Sequence, residues 1–160
     1  MQAARHLTAE VERVLAVVRP GSDDLASSLG AAGCEVVICE DAAEGMGASL
    51  ACAVRAAGEV DGYIVALGDM PFVRPSSIAA VRDALADGAP LAAPYFRARR
   101  GHPVGIAARF ASEMITLRGD EGAKKLLAAN AQSLKKIPVG DPGVIRDIDR
   151  PEDLAPPLRV

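Results

Sequence analysis

Short apolar runs alternate along this chain with stretches whose apolar residues recur every three or four positions. Arg13-Val14-Leu15-Ala16-Val17-Val18 reads as a strand ended by Arg19-Pro20-Gly21, and Cys34-Glu35-Val36-Val37-Ile38-Cys39 reads as a second. Between them, Ser22 is placed to cap a helix with Asp23 and Asp24 in its first turn, where the helix dipole favours acids, and that helix stops near Gly33. After Gly45, the spacing of Met46, Leu50, Val54 and Ala57 predicts a one-faced helix, followed by a third strand over 62–68. Pro75 then opens a helix with Ile78, Val81 and Leu85 on one side. This β-α-β-α-β-α order predicts an α/β fold with a mainly parallel sheet covered on both faces.

The second half is less regular. Leu91-Ala92-Ala93-Pro94 and Pro103-Val104-Gly105-Ile106 read as short strands around the basic connection Arg97-Ala98-Arg99-Arg100. Helices are expected over 108–117 and 122–130, a last strand over 134–139, and a short extended piece over 144–149 before a helical turn from Pro151. No repeat or linker interrupts the 160 residues, so a single domain over 1–160 is expected.

Composition excludes several classes of function. A net charge of −3 lacks the basic excess of a nucleic-acid footprint. No apolar stretch approaches the ~18 residues of a membrane span, and residues 1–6 lack the apolar core of a secretory signal. Cys34, Cys39 and Cys52 have no C-x-x-C spacing and read as buried thiols, which suits a reducing cytoplasm.

The chemistry centres on Ala66-Leu67-Gly68-Asp69-Met70-Pro71. Ligands of open α/β sheets sit outside the carboxyl ends of strands, so Asp69 stands at the rim of a site where a carboxylate can grip a hard cation. The alternative is a plain strand-end acid. Asp147 and Asp149, two residues apart, point the same way on an extended segment; alternatively Asp149 and Asp153 cap the helix near Pro151. His102 sits between Gly101 and Pro103, as a ligand contact or as a histidine in a surface hairpin. Arg97, Arg99 and Arg100 attract an anion or form a solvated charge run.

Four patterns occur in a fixed order: Glu44-Gly45-Met46-Gly47-Ala48-Ser49-Leu50, Leu67-Gly68-Asp69-Met70-Pro71, then Arg100-Gly101-His102-Pro103-Val104 with Gly119-Asp120-Glu121-Gly122-Ala123, and Asp147-Ile148-Asp149-Arg150-Pro151-Glu152-Asp153-Leu154. Together they resemble the molybdenum-cofactor cytidylyltransferase branch of the MobA-like nucleotidyltransferases, over roughly residues 10–155. The resemblance implies a three-layer α/β/α Rossmann-like fold and transfer of CMP or GMP from CTP or GTP to a phosphorylated molybdopterin-type acceptor. It implies Mg²⁺ on Asp69 and Asp149, with Asp147 as an alternative ligand or as a group supporting the ligands from behind. Gly45, Ser49, Leu67 and Asp69 would then serve the nucleotide, and Gly101, His102, Pro103, Asp120 and Gly122 the acceptor. The N-terminus of helix 122–130 would offer N–H groups to an anion, while Met46 packs its helix.

One departure stands out. The family begins with a strand and a loop of the type L-A-A-G-x-S-x-R-M-G-x-x-K that wraps the triphosphate, and this sequence contains no such pattern. The chain is therefore expected to start in the helix after that loop and to be a weak catalyst alone. A non-catalytic module keeping the acceptor half, or a sugar- or polyol-phosphate nucleotidyltransferase, are the alternatives. In the family's fold the lost strand lies between strands 13–18 and 62–68. Those two are expected to pair directly, or to leave edges open to another chain, including a second copy of this one.

Overall fold

The computed structural model describes residues 1–150. Helix α1 (Gln2–Thr8) is followed by β1 (Leu15–Val18), α2 (Asp23–Ala31), β2 (Glu35–Ile38), α3 (Met46–Ala57), β3 (Gly62–Val65) and α4 (Pro75–Ala86). Then come β4 (Leu91–Phe96), β5 (Arg99–Arg100), β6 (Val104–Ala107), α5 (Ala111–Met114), α6 (Lys124–Ala129) and β7 (Leu134–Pro138). The alternating order of the first half is the expected one. The second half is more broken. The helix expected over 108–117 is a 3₁₀ turn, Ala108–Phe110, running into the short α5, and the one over 122–130 is the six-residue α6. The extended piece expected over 144–149 begins as a 3₁₀ turn, Pro142–Ile145. Ser22 stands at the N-cap of α2 without a side-chain cap hydrogen bond. The helical turn expected from Pro151, with its capping Asp153, lies outside the described residues.

The sheet is mixed, not mainly parallel. β1 and β2 pair in parallel from Leu15 opposite Glu35 to Val18 opposite Ile38, and β4 pairs β7 in parallel from Leu91 opposite Leu134. β6, however, runs antiparallel between β3 and β4, with Val65 opposite Val104 and Leu91 opposite Ile106. The cause is the short 97–103 connection. A parallel return needs a crossover of about a dozen residues or more, so so few can only double back. The basic stretch is itself a tight hairpin: Arg97 and Ala98 have φ of 47° and 65°, and β5 pairs the end of β4 antiparallel.

The direct pairing expected between the first and third strands is not made. Among the described residues β1–β2 and the five-stranded sheet are separate, and no ladder joins β1 to β3. Each strand's place is set by the helices packed on it. α3 lies against β1, and its Val54 also enters the core of the second sheet with Leu91, Val104, Ile106 and Met114. α1 packs Leu7 against Met70, Val73 and Ile78 beside α4. Leu15, Ala16, Val17 and all of β3 are left half-buried, whereas Leu91–Pro94 of the doubly flanked β4 are buried.

Candidate active site

Register places the site. β3 ends at Val65 opposite Val104, so the turn 66–71 lies beside Gly101-His102-Pro103, which leads into β6. β6 is antiparallel to both β3 and β4, and β7 is parallel to β4, so β3, β4 and β7 run the same way and the segment after β7 emerges at the same rim as the turn after β3. The chain closes it there. The carbonyl oxygen of Asp69 accepts a hydrogen bond from the Ile148 N–H at 2.8 Å. Asp147 and Asp149, remote in sequence, thereby flank the backbone of Asp69, and all three residues are exposed.

His102 belongs to the same frame. Its N–H donates to the Val144 carbonyl at 2.8 Å, its peptide bond to Pro103 is cis, and its buried Nδ1 meets no hydrogen-bond partner among the described residues. Burial, helped by the charge of Arg100, pulls its pKa below the ordinary value; a bond to the Val65 carbonyl and the charge of Asp69 pull weakly upward. The ring lines a narrow apolar cavity with Leu7, Ala66, Leu67 and Met70. Leu67 is thus half-buried in the packing beneath the rim.

A second group gathers at the start of α3. Gly45 has φ of 119°, a conformation side chains rarely adopt, and a Cβ there would meet Asp120 Oδ1 and the Gly119 carbonyl. Gly122 lies against Met46, which remains 49% exposed and so packs its helix only at one edge. Ser49 turns its hydroxyl back to the Gly45 carbonyl at 3.4 Å. The structure thus brings Gly45, Ser49, Asp120 and Gly122 together, and separately Asp69, Gly101, His102, Pro103, Asp147 and Asp149.

Two residues at the rim had no reading in the sequence. Asp141, 3% exposed, takes hydrogen bonds from Arg74 N, Ser77 Oγ and Gly143 N. The acid before Pro142-Gly143 is a turn pattern that signals an Asx-type cap. His6 of α1 donates from Nδ1 to the Val73 carbonyl at 2.7 Å, tying α1 to the turn after β3.

Among the described residues no three His, Cys, Asp or Glu side chains are gathered so that they could hold a metal ion, so Asp69, Asp147 and Asp149 do not form a three-acid set. Exposed carboxylates suit a hard ion such as Mg²⁺, which takes one or two acids and completes its shell with phosphate oxygens and water.

The exposed acids lie outside the carboxyl ends of the strands, the place where open α/β sheets bind their ligands. The MobA-like NTP transferase domain family matches residues 1–135; the chain belongs to that family and is a nucleotidyltransferase. Among solved structures, Rv0371c from Mycobacterium tuberculosis H37Rv superposes with a TM-score of 0.78 at 21% identity, over 95% of this chain and 79% of that one. The same protein in complex with manganese gives 0.76 at 22%, over 95% and 80%. A nucleotidyl transferase from Methanothermobacter thermautotrophicus gives 0.77 at 22%, over 95% and 74%. No curated protein matches the chain. No helix among the described residues is long and apolar enough to cross a membrane.

Proposed function

We propose that this nucleotidyltransferase moves CMP or GMP from CTP or GTP to the phosphate of a molybdopterin-type acceptor. An acceptor phosphate oxygen attacks the α-phosphorus in line; the new P–O–P bond forms as the α–β bond breaks, and pyrophosphate leaves. Asp69 and Asp149, with Asp147 beside them, would hold Mg²⁺, which when bound neutralises charge on the phosphates. The observation that carries this reading is the Ile148–Asp69 backbone bond, which brings acids remote in the sequence to one rim. The manganese complex of Rv0371c supports a divalent ion on this fold.

His102, steered by Gly101 and Pro103, would turn its unpartnered Nδ1 to the acceptor, and Asp120 and Gly122, gathered with Gly45 at the start of α3, would serve the acceptor from there. Gly45, Ser49 and Leu67 serve the base or ribose. With no glycine-rich Arg- and Lys-bearing loop anywhere in its sequence, residues 1–160 alone catalyse weakly, since positioning and charge neutralisation supply nearly all the rate in such transfers. That same feature favours a second reading, a module that binds the acceptor without turnover. Free thiols at Cys34, Cys39 and Cys52 suit the cytoplasm, and the open edges of β1 and β3 suit pairing with a second copy.

Calorimetry of the chain with CTP and with GTP, each with Mg²⁺, tests the reading. Binding should require the metal and disappear in Asp69→Asn. Metal-independent binding that the substitution leaves intact overturns it, and binding without pyrophosphate release on adding acceptor selects the second reading.

A further inference from the structure

We propose that Asp141 is a positioning residue: it pins the loop carrying Asp147 and Asp149 onto the loop carrying Asp69. The inference rests on the reading that Asp69 and Asp149 hold the divalent ion. The carboxylate is 3% exposed. Its Oδ2 accepts from Arg74 N and Ser77 Oγ, both at 2.8 Å, and its Oδ1 from Gly143 N at 2.9 Å, with Arg74 Nε at 3.8 Å. Ser77 is itself 2% exposed. A buried carboxylate is costly unless partnered in this way, and a fully satisfied buried network rigidifies what it joins.

What it joins are the two sides of the rim. Arg74 and Ser77 begin α4 directly after the turn that bears Asp69; α4 has no cap from its own N-cap side chain, and Asp141 supplies one from across the fold. Gly143 opens the return strap, which then touches the site at each step. Val144 O receives His102 N–H at 2.8 Å, the Arg146 guanidinium lies 4.3 Å over the Phe72 ring, and Ile148 N–H meets Asp69 O at 2.8 Å. A Cβ on Gly143 would collide with the Phe72 carbonyl, so strap and turn are in backbone contact where Asp141 binds both. Among the described residues Asp141 is the buried charged side chain of the molecule. Its role is to fix the separation of the acids, not to touch the ion.

Mn²⁺ titration followed by electron paramagnetic resonance tests this with the chain alone. In Asp141→Asn an amide N–H₂ or its lost charge disrupts the three-donor pin, and the Mn²⁺ Kd should rise about 10- to 100-fold. The bound-ion spectrum should broaden or shift, which a purely structural role would not produce at a temperature where the variant is folded. Ser77→Ala should raise Kd less, in the same direction, and Asp87→Asn on the exposed surface should leave it unchanged. Parent-like Kd and spectrum in folded Asp141→Asn, while Asp69→Asn loses the ion, overturns the positioning role alone. Parent-like binding in Asp69→Asn overturns the metal reading beneath it. Should Asp141→Asn not fold, an unchanged Kd in Ser77→Ala overturns the proposal and a raised one supports it.

Discussion

Gly143 and His102 show how single residues set this site. A methyl group at position 143 would press on the Phe72 carbonyl, a backbone atom that cannot swing aside. Gly143→Ala should therefore destabilise the chain by about 1–3 kcal/mol in denaturant unfolding; a change within experimental error contradicts the close approach. His102 makes a pH prediction. Its folded pKa is lowered, first by burial and then by Arg100. As pH falls, the unfolded chain takes up that proton first. The neutral ring's contribution is complete above the ordinary histidine value, and it is lost as pH drops through that value toward the lowered folded one. His102→Gln should flatten the decline in Tm between about pH 7 and pH 5, and an unchanged slope would contradict it. At this scale the place of Asp69 in the turn after β3 was legible, because an apolar run ending on an acid and a proline is a local pattern. Asp141 was not, because its partners Arg74 and Ser77 lie 67 and 64 residues away in sequence.

Among the elements, the β4–β5 hairpin carries avoidable strain. Arg97 and Ala98 both have positive φ, where two-residue hairpin turns prefer Asn-Gly. Ala98→Gly should stabilise the chain by about 1 kcal/mol, read as a higher denaturant midpoint; a lower midpoint would contradict the turn geometry. β2 ends on Ile38, 57% exposed at the last residue of an edge strand. Ile38→Lys should lower any self-association seen by light scattering while keeping stability within about 0.5 kcal/mol. The β-α-β-α-β-α order was readable because apolar runs and 3.6-residue patterns are local. Strand direction in the second half was not, since it depends on how β4 and β6 share an edge; the brevity of the 97–103 connection was the available clue.

The described residues form two sheets joined through α3, with α1 packed beside α4, and two acidic motifs remote in sequence are drawn to one rim. Family membership was legible in the ordered motifs, although the family match ends at residue 135, short of Asp141, Asp147 and Asp149. Which of the two expected outcomes holds for β1 and β3, pairing with each other or edges left open, was not legible because helix packing fixes their spacing. Among the described residues β1 pairs β2, β3 pairs β6, and no ladder joins the two. The central claim is that Asp69 and the 147–149 strap clasp one divalent ion. The direct measurement is paramagnetic broadening of backbone amide NMR signals during substoichiometric Mn²⁺ addition. The amides of residues 67–70 and 147–149 should broaden first and together. First broadening at another exposed acidic turn, Ser22-Asp23-Asp24 at the start of α2 or Glu40-Asp41 after β2, with the rim unaffected, would contradict the account.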